Sequence, residues 1–115
     1  MKNINFDGYR AEKFILEKAY LIKKELYISV TLDRSVEIPI VLASAEGGVD
    51  INSIPQEKIF KKPINPFIGV TEYLKRELSK NLGLTADDAQ VIGKILVGLY
   101  SIYDKLDASL AEINP

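Results

Sequence analysis

The chain has 115 residues, 47% of them hydrophobic, with 15 basic and 16 acidic side chains and a formal net charge of -1; this is the size and composition of one packed domain or part of one. A charge balance this even gives no electrostatic case for nucleic acid or an anionic membrane surface. With no cysteine and no histidine, the chain itself cannot supply disulfides, thiolate or imidazole zinc sites, imidazole general-base chemistry or a His-containing triad.

No apolar run nears the roughly 20 residues of a membrane span, and the opening MKNINFDGYRAEK is too polar for a signal peptide. Residues 13–19 (KFILEKA) form a short apolar run bounded by polar residues and predict a first strand. Residues 25–33 (ELYISVTLD) alternate, with Leu26, Ile28, Val30 and Leu32 on one face and Tyr27, Ser29, Thr31 and Asp33 on the other, which predicts a half-buried strand. Arg34-Ser35 then reads as a tight turn into a third strand over residues 36–43 (VEIPIVLA), where Pro39 argues for an edge position or a bulge. Strands joined this closely are normally antiparallel.

Residues 44–50 (SAEGGVD) end that sheet, and Gly47-Gly48 permits positive φ and close backbone approach. Residues 58–65 (KIFKKPIN) read as extended or irregular, punctuated by Pro63 and Pro66. Thr71 caps a predicted helix to Asn81, with Leu74, Leu78 and Leu82 inward and Gly83 at its stop. Thr85 and Asp88 start a second helix, whose apolar stripe is Val91, Ile92, Ile95, Leu96, Leu99, Ile102 and Tyr103. Residues 107–114 (DASLAEIN) predict a final strand. There is no internal repeat and no low-complexity tract. The order describes an α+β unit, a small antiparallel sheet with helices packed on one face.

Side chains two apart on a strand share a face, about 6.6 Å apart along it. Glu112 and Asn114 therefore point the same way, as a carboxylate beside an amide oxygen. Magnesium accepts such hard oxygens, one or two at a time, beside substrate phosphates; the plainer reading is the polar face of an edge strand. Glu17 reads either as an exposed strand carboxylate or as a polar group in a cleft that holds a ligand amine or hydroxyl. Glu25 and Lys23-Lys24 fit a solvated face. Glu46-Gly47-Gly48 is a glycine-shaped loop without the spacing of a phosphate loop. Tyr100 and Tyr103 at helical spacing fit packing better than stacking. A chain that stops on Glu112-Ile-Asn-Pro115 looks cut within a site.

Four segments stand in order: Phe14-Ile-Leu-Glu17 with Lys24-Glu-Leu-Tyr27 behind it, Leu32-Asp-Arg-Ser35, Ala43-Ser-Ala-Glu-Gly-Gly-Val-Asp-Ile51, and Glu112-Ile-Asn-Pro115. Ile64-Asn-Pro-Phe-Ile-Gly69 and Leu82-Gly-Leu84 lie between the last two. Together these resemble the ATP-grasp region of the beta subunit of succinyl-CoA synthetase and related NDP-forming acyl-CoA ligases, from about Lys13 onward. Asn65 stands where the family usually has Asp. The resemblance implies that residues 1–115 are a single partial domain, the C-terminal half of an ATP-grasp nucleotide-binding domain. It implies nucleotide binding (ATP/ADP or GTP/GDP) by Glu17 and Glu25, and through the backbone of Tyr20, where the family often has a small residue. It further implies a magnesium ligand at Asn114 and a glutamate at Glu112 that faces a phosphorylated histidine.

The implied reaction converts acyl-CoA, phosphate and a nucleoside diphosphate to free acid, CoA and the triphosphate. The phosphate would travel on a histidine of a partner alpha subunit, a division of labour that suits a chain without histidine. The phosphate-holding first subdomain would precede residue 1, and a second magnesium ligand, an aspartate, would follow Pro115. The chain alone is expected to fold without turning over, to bind nucleotide weakly and to self-associate through an open sheet edge. The implied location is the cytoplasm, or the mitochondrial matrix in a eukaryote. An ATP-citrate lyase or malate–CoA ligase subunit shares these motifs, and a non-catalytic binding or regulatory module on the same fold is the reading of another class.

Overall fold

The computed structural model describes residues 5–114, and at residues 5 and 6 the backbone alone. The chain opens with a hairpin, β1 (Asn5–Phe6) against β2 (Tyr9–Arg10). Asp7 at φ 45° and Gly8 at φ 85° form its turn. Positive φ at both central residues is the geometry that matches the twist of two flanking strands, and Asp-Gly meets it at little steric cost.

A four-stranded antiparallel sheet follows in the order β5-β4-β3-β6, built from β3 (Tyr27–Asp33), β4 (Ile38–Ser44), β5 (Phe60–Pro63) and β6 (Leu110–Ile113). Two helices, α1 (Glu72–Asn81) and α2 (Ala86–Lys105), lie between β5 and β6 in sequence. Both are capped as expected: the Thr71 hydroxyl accepts from Leu74 N–H at 3.1 Å and the Thr85 hydroxyl from Asp88 N–H at 3.2 Å, each satisfying one otherwise orphaned donor. Gly83, at φ 63°, ends α1.

The core is the layer between helices and sheet. Ile28, Val30, Val41, Ala43 and Phe60 meet Leu74, Leu78, Leu82, Ile92, Leu96 and Leu99 there. Each of the larger of these side chains, Ala43 excepted, contributes about 1.5–3 kcal/mol by leaving water. The stripe expected on α2 narrows to its centre, because Val91 and Ile102 are more than half exposed. The two-layer α+β architecture, with helices on one face of a small antiparallel sheet, is as the sequence pattern implied.

Three local expectations are corrected. Residues 13–19 are not a strand; residues 11–22 pair with no element among the described residues and are mostly exposed. Apolar character alone does not make a strand when no neighbour offers a hydrogen-bonding edge. Second, β4 is interior, despite Pro39. Ile64 N–H donates to the Pro39 carbonyl at 2.8 Å, beyond the last β4–β5 pair, Ile40–Pro63. In an antiparallel ladder a residue's nitrogen and carbonyl face the same side, so the missing N–H falls just past the end of that ladder. Third, β3 is buried on both faces at its start, since Tyr27 and Ser29 are enclosed as fully as Ile28 and Val30.

Asn65 closes a turn through its side chain and its carbonyl. Its Oδ1 accepts from Phe67 N–H at 2.9 Å, and its carbonyl accepts from Gly69 N–H at 2.7 Å. The side chain serves only as an acceptor there, a role open to Asn and Asp alike.

Candidate functional site

The β3–β6 register sets Glu112 opposite Ser29 and Ala111 opposite Val30. Val30 belongs to the helix-side core and Ala111 packs against it, so Glu112 lies on the face turned away from the helices. Tyr27 occupies that same face. Its hydroxyl donates to Glu112 Oε2 at 3.1 Å while the residue is 3% exposed. Burial pushes the Tyr27 pKa above 10.0 and the Glu112 charge adds to that push, whereas the nearby Ser29 hydroxyl works against it. Glu112 itself is exposed. A buried phenol thus steadies one carboxylate oxygen of a side chain open to solvent.

The loop after β4 closes on the same corner. Ser44 is buried, and its hydroxyl accepts from Glu46 N–H at 3.1 Å. Glu46 pairs with Lys58 and holds that ammonium's pKa above its ordinary value. Gly47 N–H donates to the Glu25 carbonyl at 3.1 Å. A Cβ on Gly47 would lie 2.5 Å from Leu26 N, and one on Gly48 would fall on the Glu25 carboxylate. Gly47 is therefore demanded by close approach to the backbone leading into β3, and Gly48 by its positive φ of 74°.

Asn114 joins the loop to β6. Its Oδ1 accepts from Gly48 N–H at 2.9 Å, and its Nδ2 donates to the Val49 carbonyl at 3.0 Å. The corner thereby gathers Glu25, Glu112 and Asn114 from the residues that the sequence singled out, with Gly47, Gly48 and Tyr27 between them. Glu17 and Tyr20 are not brought in. Both lie on the exposed, unpaired segment, and no described hydrogen bond or ion pair links either to this corner. Lys18 Nζ sits 5.5 Å from the Tyr20 ring centroid. Tyr20 instead borders a cleft with Leu26, Leu84, Ile92 and Ile95, on the helix side of the sheet. Pro115 lies outside the described residues.

Tyr27 is the site residue that sequence reasoning passed over, and its signal was an aromatic placed on the otherwise polar face of a strand. The donor set at the corner suits a hard cation in part. Among the described residues no group of three or more Asp, Glu, His or Cys gathers, so an all-protein cage is absent there. The Glu112 carboxylate and the Asn114 amide stand two residues apart in sequence, and the amide oxygen keeps a second lone pair after accepting from Gly48. That is the ligand economy of magnesium, which keeps most of its shell for water and phosphate.

The chain is similar to subunit beta of ADP-forming succinate–CoA ligase. It is 40% identical over 111 residues to the one from Methanothermobacter thermautotrophicus, covering 94% of this chain and 30% of that one. It is 43% identical over 112 residues to one from a Hydrogenobaculum species, covering 95% and 28%, and 42% identical over 112 residues to that of Aquifex aeolicus, covering 95% and 28%. The chain thus spans less than a third of the length of these curated relatives. Among solved structures, ATP citrate lyase from Methanothrix soehngenii, in complex with citrate and coenzyme A, superposes with a TM-score of 0.61 at 18% identity, over 97% of this chain and 25% of that one, a likeness of fold. The sequence profile of the ATP-grasp domain matches residues 1–115, and the chain belongs to the ATP-grasp domain family.

Proposed function

We propose that this chain is the C-terminal half of the ATP-grasp domain in the beta-type subunit of an NDP-forming acid–CoA ligase, with succinate as the acid. The observation that carries the reading is the corner where Asn114, just past the end of β6, bonds the Gly48–Val49 turn, with Glu112 on β6 two residues before it. Two motifs distant in sequence make a single polar surface there, beside Glu25. The similarity to succinate–CoA ligase subunits supports the choice of reaction and acid.

In this reading acyl-CoA, phosphate and a nucleoside diphosphate give the acid, CoA and the triphosphate, by way of a phosphohistidine on an alpha subunit. The lack of histidine in this chain agrees with a phosphate carrier supplied in trans. Asn114 holds magnesium, which supplies charge neutralisation for the phosphates. Glu112 faces the phosphohistidine, its carboxylate steadied by the Tyr27 hydroxyl, and Glu25 binds nucleotide. Glu17 and Tyr20 meet the nucleotide only when a preceding subdomain folds over residues 11–22, whose apolar side chains stand exposed here. Catalysis at such a site is positioning and charge stabilisation rather than covalent chemistry on the protein. The cytoplasm, or a mitochondrial matrix, is the proposed location.

The test is phosphoryl transfer from a phosphorylated alpha subunit to ADP by a polypeptide carrying this segment, compared with its Glu112→Gln variant. The reading expects nucleoside triphosphate from the parent and a loss of at least about 100-fold in the variant, the scale of a lost electrostatic group at a transition state. No triphosphate from the parent, or equal rates, overturns it. The chain by itself is proposed to self-associate through β6. The opposite edge, β5, carries Lys61, Lys62 and Pro63, which discourage pairing, while β6 exposes Leu110 and Ile113. Sedimentation at millimolar concentration should show concentration-dependent mass that falls with Leu110→Lys; a clean monomer counts against it.

A further inference from the structure

An asparagine amide has two nearly isosteric ends, and a cation accepts only one of them. Asn114 stands between two backbone groups of opposite kind. Gly48 N–H, 2.9 Å from Oδ1, can only donate, and the Val49 carbonyl, 3.0 Å from Nδ2, can only accept. Turning the amide over would set N–H against N–H and oxygen against oxygen. The loop therefore dictates which end of Asn114 carries oxygen.

We infer that Gly48 and Val49 act as positioning residues, whose backbone groups lock the Asn114 amide with its oxygen presented to the cation. The inference rests on the cation role proposed above for Asn114 and extends it to the residues that make that role possible. It gives the glycine pair a function other than cradling phosphate. Gly47 lets the loop lie against Leu26, where a Cβ would come within 2.5 Å of backbone. Gly48 takes φ 74° and leaves room for the Glu25 carboxylate. The turn can then bring a backbone N–H to a side chain 66 residues away in sequence. Partners of this kind, which orient a ligand without touching the metal, commonly matter about 10–100-fold in affinity.

One consequence runs against ordinary cation chemistry. Aspartate is the harder and more highly charged ligand, so Asn114→Asp ought to tighten cation binding at a free site. Here the second carboxylate oxygen would face the Val49 carbonyl in place of an N–H donor. The side chain must then swing off the loop, and the cation loses a fixed ligand.

The experiment uses the 115-residue chain with manganese and ADP as probe, read as paramagnetic broadening of the Asn114 side-chain and Gly48 backbone NMR signals. Neighbouring signals report the Asn114→Asp variant. Wild type should broaden at these positions, while Gly48→Ala and Asn114→Asp should each need about tenfold or more manganese for the same effect. Broadening that is equal in Gly48→Ala, or stronger in Asn114→Asp, overturns the inference and leaves the cation site standing. No broadening in wild type removes the cation site and the inference together. If Gly48→Ala fails to fold, Asn114→Asp carries the test, because that side chain is exposed and its replacement is the same size. Thermal melting of each variant separates loss of binding from loss of fold.

Discussion

Residues 13–22 and strand β3 are built from similar amino acids and meet opposite fates. KFILEKAYLI is as apolar as YISVTLD, yet the first stretch lies open, with Ile15, Leu16 and Leu21 at 88–99% exposure, while Val30 in β3 is wholly buried. β3 has a neighbour on each side, β4 and β6, and helices over one face. The earlier stretch has no strand neighbour among the described residues, and only its end, Tyr20 to Ile22, borders a cleft beside α2. A strand is thus a property of a pair, and an apolar run without a partner edge remains a surface waiting for one.

The contrast breaks most visibly by truncating one leucine of α2 that packs in the core with β3 and one leucine of the earlier stretch. Leu96 is fully buried against the β3 side of the core, and Leu96→Ala should destabilise the chain by about 2–5 kcal/mol, transfer plus cavity. Leu16 is 95% exposed, and Leu16→Ala should fall within about 0.5 kcal/mol of wild type. Urea unfolding of both variants checks the pair. A cost above about 1 kcal/mol at Leu16 would mean that residues 13–22 pack in the isolated chain after all.

The same contrast explains what could be read from the sequence. β3, β4 and both helices follow from local rules: period-2 alternation, threonine caps, a glycine stop and leucines on one helical face. The final strand also follows from local pattern, but it covers only Leu110–Ile113 of the expected residues 107–114, so Asn114 lies just past its end and is placed by its bonds to the Gly48–Val49 turn rather than by strand period. What could not be read was pairing between distant segments. Nothing local shows that residues 13–19 lack a partner, or that β4 is interior with Pro39 set just beyond the end of a ladder. The Asp7-Gly8 hairpin did have a local signal, but the two-residue strands around it show no alternation to notice. The bond between Gly48 and Asn114 and that between Tyr27 and Glu112 span 66 and 85 residues, and only the sheet's register brings them together.

Two tyrosines, one in each region, sharpen the comparison by a smaller amount. Tyr27→Phe removes the hydroxyl bonded to Glu112 and should cost about 0.5–1.5 kcal/mol near neutral pH. Tyr20→Phe, at a residue 75% exposed, should cost nothing measurable. Alkali separates them further. The folded-state pKa of Tyr27 is raised above 10.0, so the folded chain binds that proton more tightly than the unfolded chain does. Its contribution is fully present below pH 10 and is lost as pH rises through the raised value. Tyr100 is raised by burial too, so Tyr27→Phe should remove part of the alkaline decline in stability and leave the rest. An alkaline limb that is unchanged by Tyr27→Phe would show that Tyr27 is not held protonated by the fold.

The smallest expected effect lies at the other end of β3, in acid. Asp33 closes the strand with a turn: its Oδ1 accepts from the Ser35 hydroxyl at 2.6 Å and from Ser35 N–H at 3.0 Å, while Lys61 lies 3.0 Å from Oδ2. The Ser35 hydroxyl, first, then Lys61 and the Ser35 backbone hold the Asp33 pKa down from 3.8 to about 2. A carboxylate with a depressed folded-state pKa contributes above its unfolded value and loses that contribution as pH falls through the folded one. The window is therefore pH 3.8 down to about 2. Solvent screening keeps the contribution modest for so exposed a turn. Asp33→Asn should flatten the acid limb of the stability curve within that window, and Ser35→Ala should flatten it less, because Lys61 remains. If Lys61→Ala flattens it more than Ser35→Ala does, the ion pair rather than the turn hydroxyl is the main cause, and the strand end is secured by charge more than by its own local hydrogen bonds.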